Sequence, residues 1–249
     1  MSIAQHLEQL YARIPPHVSL VAVSKFQPVS LIREAYTAGQ RVFGENRSRE
    51  MSEKIPLLPR DVQWHFIGHL QTNKVREVVG KAVLIQSADR VSVLKAIQLQ
   101  AQKLGIVQDV LLQVYIAGED TKQGFLPEEL TSVAGLSLPN VRVCGVMGMA
   151  TFTEDLQRVR KEFRGLRELF ETLKKGPYAG SEAFRHCSMG MSGDYHIALE
   201  EGSTMVRIGS AIFPPRPQRP CPLPLSGRLR GMRRLHDQIP LPGCLLWFE

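Results

Sequence analysis

Residues 184–213 read FRHCSMGMSGDYHIALEEGSTMVRIGSAIF. The stretch opens on an apolar run, Phe184–Ser188, and passes through the glycine-rich Met189-Gly190-Met191-Ser192-Gly193. A helical candidate, Asp194–Glu200, and a second apolar run, Thr204–Gly209, follow. Strand, glycine loop, helix and strand in that order form the repeating unit of a parallel α/β sheet. Its position along the chain decides between two architectures. An open doubly wound sheet of the dinucleotide-binding kind carries its glycine fingerprint directly after the first strand. Here the first strand-like run is followed by Lys25-Phe26-Gln27-Pro28 instead. The glycines sit beside the last two strands, where a βα barrel gathers loops able to hold an anion.

Outward from this stretch the same alternation recurs. Strand-like runs fall at Val18–Ser24, Arg41–Gly44, Gln63–Gly68, Val83–Ser87, Asp109–Ile116 and Val141–Gly148. Helical patterns separate them at Val29–Ala38, Ser48–Lys54, Thr72–Val79, Arg90–Leu104, Pro127–Val133 and Glu154–Lys174. An amphipathic opening segment places Leu7, Leu10, Tyr11 and Ile14 on one face until Pro15-Pro16 stops it. In Glu154–Lys174 the stripe is Leu156, Val159, Phe163, Leu166, Leu169 and Leu173, with charges of both signs elsewhere, as on a solvated face. Eight such units predict an α/β fold, a single (β/α)8 TIM-type barrel over residues 1–213, with an irregular proline-rich C-terminal tail over 214–249. The tail holds eight of the 16 prolines, which fix φ and remove amide donors, and it shows neither strand nor helix period.

Composition narrows the function classes. Of the 249 residues 43% are hydrophobic and 22% charged, ordinary for a globular protein with a sizeable core. No apolar run is long enough for a membrane span, and the N-terminal residues lack the pattern of a secretory signal, so a cytoplasmic protein is expected. Cys144, Cys187, Cys221 and Cys244 form no CxxC pair and read as reduced thiols. The formal charge is +7, but six arginines against two acids after Phe213 carry +4 of it. The remaining +3 is mild and no nucleic-acid motif accompanies it, which argues against nucleic acid as a partner.

In a βα barrel, chemistry gathers at the C-terminal ends of the strands. Lys25 stands at that end of the first strand, in VAVSKFQP. A lone lysine there is ordinarily solvated or ion-paired, although one partly withdrawn from water offers the neutral amine needed for capturing a carbonyl. At the other end of the chain, the loop at Ser188–Gly193 and the segment Arg207-Ile208-Gly209-Ser210 close the seventh and eighth strands. Glycines there let backbone amides approach a phosphate, and a helix start adds a favourable dipole. Either loop alone reads as a tight turn. Barrel closure sets both beside Lys25. His65 and His69 straddle a strand end rather than share a helical face, so packing and loop hydrogen bonds explain them better than a metal, and no metal ligands are assigned. Tyr195 and His196 lie near the glycine loop, and the sequence leaves their role open.

Val23-Ser24-Lys25, Phe43-Gly44-Glu45-Asn46, His65–Lys74, Ser188–Asp194 and Val206–Phe213 together resemble the pyridoxal phosphate homeostasis protein family, which is related to the N-terminal barrel of alanine racemase. The resemblance covers the chain from about residue 2 to Phe213. It implies a pyridoxal 5′-phosphate cofactor with Lys25 as its Schiff-base lysine and Asn46 beside the ring. Ser188, Gly209 and Ser210 match phosphate contacts, and Arg207 matches the arginine facing the pyridine nitrogen. A cationic partner there disfavours a protonated ring nitrogen and weakens the ring as an electron sink.

Two functions follow from the resemblance. One is a monomeric cofactor-binding protein, without robust catalysis, that serves intracellular vitamin B6 homeostasis and hands pyridoxal phosphate to apo enzymes. The alternative is a small pyridoxal-phosphate enzyme of the amino-acid racemase type. Two-base racemisation needs an acid–base group on each face of the substrate. The racemases take one of these from a further C-terminal domain, and only a 36-residue tail follows Phe213 here. The carrier reading is therefore preferred, and no catalytic residue is assigned. After Phe213 the chain departs from the family pattern, with Pro214 where a glycine is usual. This predicts a disturbed end of the eighth strand and a looser phosphate grip. The tail's PxxP spacings, as in Pro214-Pro215-Arg216-Pro217, also suit an SH3-type groove.

Overall fold

A computed structural model describes residues 1–118 and 123–215. Eight strands follow the alternating runs: β1 (Ser19–Val23), β2 (Val42–Glu45), β3 (Gln63–Phe66), β4 (Leu84–Ala88), β5 (Gln108–Val114), β6 (Val141–Gly148), β7 (His186–Ser188) and β8 (Met205–Ile208). They close in sequence order into a barrel, with every neighbouring pair parallel. The expected barrel is therefore the observed one. Strand limits shift by a residue or two. β7 begins two residues late because Phe184 N–H bonds back to Ser181, while the buried Phe184 ring stacks on Tyr178 at 4.3 Å and on Phe170 at 5.2 Å.

The helices are α1 (Ile3–Arg13), α2 (Val29–Thr37), α3 (Ser48–Lys54), α4 (Val75–Val78), α5 (Val91–Leu104), α6 (Leu130–Ala134), α7 (Leu156–Lys175) and α8 (Tyr195–Glu200). Ser2 caps α1 through a capping box with Gln5, and Asp155 caps α7 by accepting from Gln157 and Arg158 N–H. The expected segments at Thr72 and Pro127 each open as a 3-10 turn before α4 and α6. The buried stripe of α7 is Val159, Phe163, Leu166, Phe170 and Leu173. Leu156 was expected in that stripe but is exposed, because it sits in the first turn, and Phe170 joins it instead. The opposite face is not merely solvated. Arg160 pairs with Glu200 at the end of α8 and with Glu201 just after it, and Arg164 pairs with Glu201.

Alternation along each strand divides the side chains. One set packs outward against the helices in the main core, with Phe43, Trp64, Phe66, Ile85, Val206 and Ile208 among its members. The other fills the barrel, where Val21, Leu84, Leu111, Cys144, Met147 and Met205 form an apolar plug. Two residues further along β4 and β8, toward the C-terminal mouth, the inward positions are Gln86 and Arg207, both buried. The plug closes the barrel from below, and a polar layer lies on top of it. Cys144 and Cys187 are free and buried, whereas Cys221, Cys244 and the tail from Arg216 onward lie outside the described residues. Among the described residues no helix is long and apolar enough to cross a membrane.

Candidate functional site

The mouth of the barrel at β1, β2, β7 and β8 gathers the residues singled out by the sequence. Register fixes their levels. Val23 pairs with Gly44 across β1 and β2, and Ala22 pairs with Ile208 across β1 and β8. Continuing one or two residues, Lys25 and Asn46 leave adjacent strands at one level, and Gly209 lies beside Val23. A Cβ on Gly209 would stand 3.2 Å from Val23 O, so glycine allows this close approach. Lys25 is half-buried in the loop that leaves β1.

Asn46 follows β2 with its side-chain oxygen Oδ1 buried and without a hydrogen-bond partner among the described residues. Such an orphan is rare in a folded interior and costs about 1–3 kcal/mol unless a ligand or water fills the need. Its backbone is seated on Gly68, where a Cβ would meet Asn46 O at 2.0 Å. Only glycine fits there, so the β3 loop fixes Asn46 through backbone contact.

The two glycine loops are joined by a residue that the sequence reading did not select. Ser192 Oγ accepts from Gly209 N–H at 3.2 Å and so ties the β7 loop to the end of β8. Its only sequence signal was its place inside the glycine-rich loop. Asp194 Oδ1 holds Met191 N–H at 2.5 Å, and burial raises the Asp194 carboxyl above its ordinary range. α8 is six residues long, so its dipole adds little; the loop amides and hydroxyls are the groups presented. Ser210 is exposed, and the turn after β8 closes on itself, with Ile212 and Phe213 N–H both bonding Gly209 O at 2.9 Å. That turn is complete before Pro214, so the expected disturbance of the β8 end by Pro214 is not seen among the described residues.

Arg207 is 4% exposed. Its guanidinium donates to Ser188 Oγ at 2.6 Å and to Gly148 O at 2.9 Å. Among the described residues no carboxylate forms an ion pair with it. Burial lowers its pKa to about 10, so it remains a cation near neutrality. Ser188, fully buried, passes the chain on by donating to Gln86 Oε1 at 2.7 Å, and Gln86 Nε2 lies 2.9 Å from His65 Nδ1. Burial pushes His65 down to about 3, so its ring is neutral. The Gln86 amide can only donate here, so His65 Nδ1 accepts and Nε2 carries the proton. A relay of four side chains from β8, β7, β4 and β3 thus crosses the barrel. Ser188 is engaged inside it, with its hydroxyl directed at Arg207 and Gln86. His69 sits elsewhere, 3.0 Å from Asp89, and the two histidines do not converge.

A closed barrel of eight parallel strands in sequence order defines a class of fold, and comparison with known proteins places the chain within it. The model of the alanine racemase N-terminal domain matches residues 1–217. The fold is shared by an alanine racemase from Bartonella henselae, at a TM-score of 0.66 and 15% identity, with 89% of this chain covering 61% of that one. More similar are the pyridoxal phosphate homeostasis proteins of Aquifex aeolicus and Homo sapiens. The first is 47% identical over 78% of this chain and 85% of its own length, the second 35% over 90% and 87%. PipY of Synechococcus elongatus PCC7942, solved with pyridoxal phosphate bound, superposes at a TM-score of 0.75 with 34% identity, covering 85% of this chain and all of that one. The chain belongs to the pyridoxal phosphate homeostasis protein family.

Proposed function

We propose that this protein binds pyridoxal 5′-phosphate at the mouth formed by β1, β2, β7 and β8, tethers it through Lys25, and surrenders it to apo enzymes. The observation that carries the reading is the convergence, on adjacent strand ends, of Lys25, the unpartnered Asn46 Oδ1 and the glycine cradle at Gly209.

The residues fit the cofactor group by group. Asn46 Oδ1 lacks a partner among the described residues, and a ring bearing a hydroxyl would supply one. Gly209, Ser210 and Ser192 offer amides and hydroxyls to a phosphate, which would replace the bond from Gly209 N–H to Ser192 Oγ. Arg207 is a buried cation that no carboxylate contacts as an ion pair among the described residues, Asp194 acting on it only through space. This suits a ring nitrogen that must stay unprotonated and accept a hydrogen bond. Ser188 keeps Arg207 aimed and serves the phosphate end only indirectly. When bound, the cofactor supplies an aldehyde that captures amines and a ring that withdraws electrons. With Arg207 against the ring nitrogen the second capacity is weak, which favours holding and delivery over turnover.

The test is the visible absorption of the protein loaded with pyridoxal phosphate. A chromophore lost on Lys25→Ala is expected, and one that survives the substitution overturns the assignment. Transfer to an apo enzyme, followed by the recovery of its activity, checks delivery. Rapid loss of the α-proton of L-alanine to deuterium oxide would instead establish the racemase reading.

A further inference from the structure

Lys25 is the proposed tether, and the backbone of both its neighbours in the chain is held by one ion pair. Lys54, the last residue of α3, is buried, and its ammonium has three protons to place. They go to Ser24 O at 2.8 Å, Glu45 Oε1 at 2.7 Å and Glu50 Oε1 at 2.6 Å. Glu50 Oε1 accepts in turn from Phe26 N–H at 2.6 Å. The carbonyl of residue 24 and the amide of residue 26 are therefore held by one ion pair on α3. Glu45 completes the frame from the end of β2, because Ser24 Oγ donates to the same Oε1 at 2.6 Å.

The clamp holds a conformation that the chain would not choose. Phe26 has φ +63°, the only left-handed non-glycine residue among those described. A residue with a Cβ adopts this geometry only at a cost, and it persists only where the surroundings impose it. Glu50 imposes it at the amide. Arg47 adds to this by lying over the Phe26 ring, 4.7 Å from the centroid. A salt bridge placed only for stability would have no reason to bind the two peptide groups flanking a single side chain. A buried pair adds little net stability in any case.

We infer that Glu50 and Lys54 are positioning residues that fix the backbone on both sides of Lys25 and so aim its amine at the incoming aldehyde. The inference rests on Lys25 being the tether. In this reading Glu50 and Lys54 act through Lys25, by way of the peptide groups on either side of it.

The experiment separates capture from binding. Stopped-flow absorbance gives the rate at which pyridoxal phosphate is joined to the protein. Competition with pyridoxamine 5′-phosphate, which has no aldehyde, gives the affinity of the same pocket without a tether. Glu50→Ala and Glu50→Asp, the latter keeping the charge beside Lys54 but withdrawing it from Phe26, are expected to slow capture at least tenfold. Affinity for pyridoxamine phosphate should stay within about twofold. Glu50→Gln, which keeps an acceptor for Phe26 N–H, should recover most of the rate. Wild-type capture in both Ala and Asp variants overturns the inference, as does equal loss of rate and affinity, which would mark general damage. Thermal midpoints taken alongside identify a variant that does not fold, and the Asp variant then decides. Lys25→Ala is run in parallel: if it still captures, the tether reading itself fails, whatever Glu50 does.

Discussion

Replacing Ser188 by alanine should destabilise the protein before any cofactor is added. The hydroxyl is fully buried and makes two hydrogen bonds within the barrel, one from Arg207 at 2.6 Å and one to Gln86 at 2.7 Å. A bond to a charged donor contributes about 1.5–3 kcal/mol and a neutral one about 0.5–1.5 kcal/mol. Losing both leaves an Arg207 N–H and the Gln86 amide oxygen without the hydroxyl they shared, across a small void. The expected cost is about 2–4 kcal/mol. For a chain of this length about 3 kcal/mol lowers the melting temperature by roughly 6–12 °C. Urea unfolding of the cofactor-free Ser188→Ala protein measures the first quantity and a thermal scan the second. Gln86→Leu and the double variant complete a cycle. The two side chains share one bond, so their effects should fall short of additivity by about 1 kcal/mol. A direct contact between Ser188 and phosphate predicts the opposite pattern: a cofactor-free protein within about 0.5 kcal/mol of wild type and a large loss of phosphate affinity. That result would refute the placement of Ser188 in the relay.

Gly68→Ala forces a Cβ to 2.0 Å from Asn46 O, and backbone has no rotamer with which to yield. We expect at least about 3 kcal/mol of destabilisation by urea titration, with weakened pyridoxal phosphate binding because Asn46 is displaced. His65 gives a pH dependence. Its folded pKa of about 3 lies below the ordinary 6.5, so between those values the unfolded chain binds the proton and the native one does not. Stability is fully present above 6.5 and falls by up to about 1.4 kcal/mol per pH unit as pH drops toward 3. His65→Gln should show a shallower slope in that window than wild type, and equal slopes would contradict the burial of a neutral ring. A chain ending at Phe213 should bind pyridoxal phosphate within about threefold of the full chain, since the turn after β8 closes on Gly209 before Pro214. Among the described residues it loses the 3.4 Å contact from Gln27 Nε2 to Pro214 O. A larger gain on truncation would restore the expectation that the tail loosens the grip.

The barrel was legible because its signals are local. Alternating apolar runs such as Leu84–Ala88, helical stripes such as that of α7, and late glycines each report on a few neighbouring residues. The polar interior was not legible, for a physical reason. His65, Gln86, Ser188 and Arg207 come from four strands, and which inward positions share a level depends on the stagger of the closed sheet. No single segment encodes that stagger. Gln86 therefore looked like any polar residue in a strand, and Ser188 like a phosphate ligand beside a glycine loop. The two lysines make the same point. Lys25 ends a strand and was noticed. Lys54 ends a short helix among charged neighbours, where a solvated side chain is the ordinary reading. Its burial arises because Glu45 points out of the barrel, on the opposite face of β2 from Gly44, and meets α3 there. A parity argument on four residues of β2 could have placed Glu45 on that face. It could not have shown that an ammonium would come to meet it, nor that the same ammonium would reach Ser24 O. The side chain that joins a strand end to its clamp is thus found only from the packed structure, while the position of Lys25 at the end of the first strand is read from the sequence alone.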